Sequence, residues 1–234
     1  QLGRVVREQR HAARLLENGL SPRRRLLLYG PPGTGKTLTG AVLAGELGLP
    51  LMQVRLDGLI TKYMGETAAK LRQVFDATTQ TRGVYFFDEF DAIGSQRGLS
   101  NDVGEIRRVL NSFLQMIEQD ASHSLIVAAT NHPEILDYAL FRRFDDVLYY
   151  GLPARDGIAS LLKNRLQHIA ERDVSWERVA DAALGLSYAE LARAANEVLK
   201  ETLIHERAST SEDEIRATIA ERQTISQRFD PRAK

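Results

Sequence analysis

Residues 30–37 read Gly30-Pro31-Pro32-Gly33-Thr34-Gly35-Lys36-Thr37, which fits G-x-x-x-x-G-K-[ST] at every position. Glycines at 30, 33 and 35 let the backbone curl so that successive N–H groups point inward at phosphate oxygens. A helix that starts at the end of this loop adds its positive N-terminal end to the same anion site. Lys36 has the reach for β- and γ-phosphates, and the Thr37 hydroxyl is placed to ligate Mg2+. Leu38 follows inside the helix and is also expected among the ATP-binding residues. The alternative is a ligand-free turn between a strand and a helix. Eight matching residues in a strand–loop–helix context argue against it.

Working outward, Arg25–Tyr29 (RLLLY) is a short apolar run that suits a buried strand, and 35–47 suits a helix closed by Gly48 and Pro50. Further strands are expected at 51–56, 83–87, 124–130 and 146–150, and helices at 67–79 and 103–118. An N-terminal helix is read over 5–18, ending at Gly19. Near-continuous apolar strands alternating with helices predict an α/β class: a three-layer P-loop domain with a parallel sheet covered on both faces. Beyond Leu152-Pro153 the pattern holds only helices, near 155–171, 175–184, 188–207 and 211–222. The expected organisation is an α/β domain with its helical linker over 1–151, a small all-helical lid domain over 152–225 and a flexible tail over 226–234.

Hydrolysis needs more than a phosphate cradle. Val84–Phe87 leads straight into Asp88-Glu89, and the carboxyl ends of parallel strands are where such sites form. Asp88 would hold Mg2+ through its water shell, and Glu89 would polarise the attacking water as general base. Asp91 lies past this pair and reads as structural. The next strand ends in Ala128-Ala129-Thr130-Asn131, where the Asn131 amide can contact the γ-phosphate or position the water.

Lysine plus arginine and aspartate plus glutamate number 31 each, so the basic surface of a dedicated nucleic-acid binder is not expected. The local cluster Arg23-Arg24-Arg25 reads as a solvated turn. Without cysteine there are no disulfides, thiolate metal sites or cysteine nucleophiles. No apolar run is long enough for a membrane-spanning helix and no signal peptide is evident, so a soluble, cytoplasmic protein without a membrane partner is expected. The opening Gln1 in place of Met reads as the start of a trimmed piece of a longer protein.

These motifs resemble those of the AAA family of ATPases across nearly the whole chain. GPPGTGKT is similar to its Walker A motif, VYFFDE to Walker B and AATN to sensor 1. The segment from Leu136-Asp137 to Phe144-Asp145 resembles the family's L-D-x-A-x-x-R-P-G-R-F-D, with the P-G spacer missing and Arg142 and Arg143 side by side. The resemblance implies that these arginines are fingers acting on a neighbouring subunit's ATP in a ring, usually a hexamer. Which of the two touches the γ-phosphate stays open, as does a plain surface role in which they pair with Asp145 or Asp146.

Lys62-Tyr63-Met64-Gly65-Glu66 resembles the family's first pore loop, which implies that Tyr63 grips a protein substrate with Met64 as its apolar neighbour. Residues 95–105 resemble the second pore loop and 105–108 the intersubunit helix. Gly185–Leu191 resembles the start of the lid helix, which places Ala189 at the nucleotide, and Asn164 falls where relatives carry a histidine near the adenosine. Arg193, one turn later, reads as structural. The wording is similar to bacterial members, some of which accompany a partner protease. Protein remodelling driven by ATP is therefore the expected function. A DNA-associated ATPase and a nucleotide-switched scaffold are the competing classes.

Overall fold

The computed structural model describes residues 1–56, 64–89, 103–135 and 138–229. The first strands and helices are α1 (Leu2–Arg10), α2 (Ala12–Glu17), β1 (Arg25–Tyr29), α3 (Lys36–Leu47) and β2 (Leu51–Arg55). There follow α4 (Met64–Gln80), β3 (Val84–Asp88), α5 (Val103–Gln119), β4 (Leu125–Thr130), α6 (Tyr138–Phe141) and β5 (Asp146–Tyr149). The single N-terminal helix expected over 5–18 is broken at His11, whose φ of −107° and ψ of 22° leave the helical range.

All strand pairs are parallel, in the order β2-β3-β4-β1-β5. Period-2 alternation sorts the side chains onto two faces. Leu27, Tyr85, Phe87, Ile126 and Ala128 share one core with Leu71 and Phe75 of α4 and Phe113 and Ile117 of α5. Leu26, Leu28, Phe86, Val127 and Ala129 share the other with Val5 of α1 and Leu43 of α3. That is the three-layer arrangement expected. On the first face Phe75, Phe87 and Phe113 pack at centroid distances of 5.9, 5.6 and 5.1 Å. Each such aromatic pair adds about 0.5–1.5 kcal/mol beyond its buried area. On the second face α3 approaches so closely that a Cβ on Gly40 would lie 2.6 Å from Phe86.

Register then positions the loop ends. Tyr29 pairs with Thr130 and Phe87 with Ala128, so β1 and β3 flank β4 and all three end at the same edge of the sheet. Gly30, Asp88 and Asn131 therefore leave the sheet along the same edge.

The opposite edge corrects the reading of the arginine cluster. Arg24 forms a largely buried ion pair with Asp120, whose side chain is 1% exposed. Thr78 Oγ1 and Ser122 Oγ donate to the same carboxylate at 2.8 and 3.0 Å. Arg23 pairs with Glu8 of α1. These arginines tie β1 to α1 and to the end of α5 rather than lining a solvated turn.

The chain divides into two compact units, one of residues 1–30 and 36–150, the other of residues 31–35 and 151–234. The second holds α7 (Arg155–Leu166), α8 (Trp176–Ala182), α9 (Tyr188–Ile204) and α10 (Glu212–Phe229). Ile158, Leu162, Val179, Leu191, Ala195 and Ile215 are fully buried in its own core. Its only β pairing among the described residues is the bridge between Ala170 and Thr210. α10 continues to Phe229, so Arg228 is helical where a fraying tail is expected. Among the described residues no helix is long and apolar enough to cross a membrane.

Candidate active site

Three glycines of the loop adopt positive φ: Gly30 at 143°, Gly33 at 75° and Gly35 at 101°. At Gly30 crowding adds to the backbone requirement, since a Cβ would lie 2.1 Å from the Tyr150 carbonyl oxygen. The Gly30 N–H donates to the Thr130 carbonyl, fastening the loop entry to β4. Within the second unit, the Ala189 N–H donates to the Gly33 carbonyl at 3.0 Å. A Cβ on Gly33 would stand 2.7 Å from Ser187 Oγ. Ala189 is thus hydrogen-bonded to the glycine-rich loop by its backbone. The bond is prepared by a capping box in which Ser187 and Glu190 satisfy each other's backbone N–H groups.

Lys36 is buried to 6% exposure, and its Nζ donates to the Gly30 carbonyl at 2.7 Å. Pro32 is exposed, and Thr34 closes the loop by donating from Oγ1 to the Pro31 carbonyl at 2.8 Å. Thr37 Oγ1 donates to Asp88 Oδ2 at 2.9 Å, joining the start of α3 to the end of β3. The other carboxylate oxygen of Asp88 accepts the Glu89 N–H at 3.0 Å. Glu89 sits at φ 51°, in the left-handed region, and is exposed to solvent. The His132 N–H donates to Thr130 Oγ1 at 3.0 Å and shapes the turn that carries half-buried Asn131.

The donor set fits a magnesium–nucleotide complex. Backbone N–H groups and a buried ammonium present positive charge to an anion. A hydroxyl and a carboxylate 2.9 Å apart have the separation of neighbouring oxygens around a hard divalent cation. Ligands at about 2.0–2.1 Å in octahedral geometry are about 2.9 Å from each other.

Leu38, one residue into α3, is 66% exposed. Asn164 is an exposed residue of α7, and its role rests on resemblance alone. Lys62 and Tyr63 lie outside the described residues, as do Asp91, Leu136, Asp137 and most of the 95–105 segment; Met64 begins α4. Arg142 is exposed and follows α6 directly. Arg143 does not turn to Asp145 or Asp146: its Nε lies 2.7 Å from Glu118 Oε1 of α5. Asp145 instead accepts the backbone N–H groups of Arg24 and Arg25, both at 2.9 Å.

Sequence reading missed three contacts that hold the loop or the arginine-bearing turn. Glu118 is one. Another is the bond between Thr39 Oγ1 and Tyr150 Oη at 2.6 Å, which holds α3 to the end of the sheet domain. Burial raises the Tyr150 phenol above its usual range, a rise that the Thr39 bond opposes. The third is the Gly30–Tyr150 approach. Only the capping box had a local signature, Ser187-x-x-Glu190.

A parallel sheet, a glycine-rich loop opening a helix and an acidic pair at the end of the strand next but one define a P-loop nucleotide-binding protein. The comparison with known proteins narrows the class. The pattern of the ATPase family associated with various cellular activities (AAA) matches residues 26–152. The chain belongs to that family.

It is 39% identical over 210 residues to an uncharacterized AAA family ATPase of Sinorhizobium fredii, covering 89% of this chain and 63% of that protein. It is 36% identical over 205 residues to the ATP-dependent zinc metalloprotease FtsH 4 of Sphaerobacter thermophilus, covering 84% and 31%. With the peroxisomal ATPase pex6 of Schizosaccharomyces pombe it shares 39% identity over 158 residues, 64% and 17% of the two chains. The chain thus spans less than two thirds of these relatives' lengths.

Proposed function

We propose that this chain binds ATP with Mg2+, hydrolyses it as one subunit of a ring, most simply a hexamer, and uses the cycle to remodel a protein substrate. The observation that carries the ATPase reading is the meeting of Lys36, Thr37, Asp88 and Glu89 at one sheet edge. Lys36 and the N–H groups of Gly33, Gly35 and Thr37 bind the phosphates. Thr37 and Asp88 hold the metal, directly or through its water shell. Bound Mg2+ would supply charge neutralisation at the phosphates.

Glu89 orients a water and accepts its proton as the water oxygen attacks the γ-phosphorus and ADP leaves. Asn131 fixes that water from the other side. The arginine pair supplies positive charge to the neighbouring subunit's γ-phosphate, which makes the site incomplete in a lone chain. Support for a protein substrate comes from the resemblance at Tyr63 and from similarity to a protease-linked relative.

The test is to express Glu89→Gln with ATP, measure the assembly mass and identify proteins retained with it. The proposal expects a trapped nucleotide, a mass of several subunits and a bound polypeptide released on washing out ATP. A monomer that still turns over ATP contradicts it.

A further inference from the structure

Within the second unit, the glycine-rich loop is held by the turn of residues 183–187 that joins α8 to α9. Gly185 carries the turn at φ 91°, in the left-handed region, and Leu186 beside it is buried. The last carbonyls of a helix have no partner within it, so the end of α8 draws on donors from elsewhere. Gln223 of α10 supplies two such bonds. Its Nε2 donates to the Ala182 carbonyl at 2.7 Å and to the Leu184 carbonyl at 3.1 Å. A primary amide has two hydrogens on one nitrogen, so a single side chain spans both acceptors.

The far side of the turn is tied to the same helix. The Glu190 carboxylate accepts the Ser187 N–H at 2.8 Å and a side-chain hydrogen bond from Ser226, which lies one turn beyond Gln223 on α10. Ser187 Oγ accepts the Glu190 N–H in return, at 3.3 Å. From this clamped segment the Ala189 N–H reaches the Gly33 carbonyl. A peptide unit is planar and trans, so its C=O and N–H point in opposite directions. Fixing the Gly33 carbonyl therefore fixes the direction of the Thr34 N–H inside the loop.

We propose that Gln223 is a positioning residue for nucleotide binding. Its amide holds the α8–α9 turn in the shape that brings the Ala189 N–H to Gly33, and so sets the plane of the Gly33–Thr34 peptide before nucleotide arrives. The role rests on the reading of the loop as a phosphate cradle. Gln223 acts through the turn rather than on the reacting atoms, so its effect falls on affinity and not on the chemical step assigned to Glu89.

The test compares Gln223→Met, Gln223→Glu and Gln223→Lys in the full chain, with thermal unfolding confirming that each folds. Calorimetric binding of ADP with Mg2+, steady-state KM and kcat for ATP, and hydrogen exchange of the Ala189 amide without nucleotide are measured. Methionine keeps the volume and removes the donors, glutamate keeps the shape but turns a carboxylate toward two carbonyls, and lysine restores donors. Loss of two uncharged hydrogen bonds in Gln223→Met should weaken ADP binding and raise KM by about five- to tenfold, with kcat unchanged. Exchange at Ala189 should quicken by a similar factor. Gln223→Glu should lose at least as much, and Gln223→Lys should recover most of the loss. Arg222→Ala is the comparison: it releases α10 from Glu197 of α9, away from the turn, and should bind ADP as the wild type does. Wild-type affinity in Gln223→Met, a Gln223→Lys variant as weak as Gln223→Met, or an equal loss in Arg222→Ala overturns the role of Gln223 while leaving the cradle standing. A wild-type chain that binds no ADP overturns the cradle itself.

Discussion

Among the described residues two non-glycines hold positive φ, Glu89 at 51° and Glu206 at 49°, and they allow strain at the site to be measured against strain elsewhere. The left-handed conformation costs an L-residue about 1–2 kcal/mol. Glycine avoids that cost but gives up about 0.5–1 kcal/mol of extra chain entropy. A glycine at either position should therefore leave stability unchanged or raise it by up to about 1.5 kcal/mol. In a chain of this size each kcal/mol moves Tm by about 2–4 °C. Glu206 follows α9, where the Arg207 N–H donates to the Thr202 carbonyl at 2.9 Å, an ending that favours glycine. Glu206→Gly should raise Tm and leave turnover alone. Glu89→Gly should match it in Tm yet lose about 10²–10⁴-fold in turnover, the usual contribution of a general base. Glu89→Gln should lose the same activity with Tm unchanged, because it keeps the strained conformation. Thermal unfolding alongside phosphate release reads all three. A fall in Tm of more than about 4 °C for Glu89→Gly, with a rise for Glu206→Gly, would refute the reasoning that Glu89 is held in strain for its chemistry.

Other perturbations follow from the same geometry. Asp120→Ala leaves the Arg24 guanidinium uncompensated and should cost about 3–5 kcal/mol in urea unfolding, whereas Arg24→Met/Asp120→Leu should be near neutral; equal costs would show that the pair is not what is lost. Gly33→Ala places a Cβ 2.7 Å from Ser187 Oγ at φ 75°. The strain of about 1–2 kcal/mol should weaken nucleotide binding about tenfold by calorimetry, and unchanged affinity would mean that the loop relaxes freely. Glu212 is held below its usual carboxylate range by the Ser175 N–H and by Arg178, and Glu214 by the Ser211 N–H. With folded pKa values lowered, their stabilisation is present above the ordinary value of 4.5 and lost as pH falls below it. Acid titration should show Glu212→Gln and Glu214→Gln flattening the loss of stability below that pH, and an unchanged slope would remove these caps from the account.

The strands, the loop and the acidic pair were legible because each carries its signal locally. RLLLY and LIVAAT are buried on both faces and so lack alternation, and glycine at 30, 33 and 35 answers backbone angles that other residues resist. What escaped was set by partners distant in sequence. Arg24 looked like a solvated charge because Asp120 stands 96 residues away. The partner of Arg143 was not legible because nothing in the turn itself points to Glu118. The Gly30–Tyr150 approach arises from the pairing of β1 with β5. The break at His11 had no Gly or Pro to announce it.

The central claim, a nucleotide site completed by a neighbouring subunit, is tested most directly by mixing two inactive variants. Glu89→Gln keeps both arginines and loses the base, while the double variant Arg142→Ala/Arg143→Ala keeps the base and loses the arginines. In mixed assemblies, a subunit lacking both arginines beside a Glu89→Gln neighbour regains a complete site. The account predicts that the mixture hydrolyses ATP although neither variant does alone. A mixture as inactive as its components, in assemblies shown by mass to contain both, would contradict it.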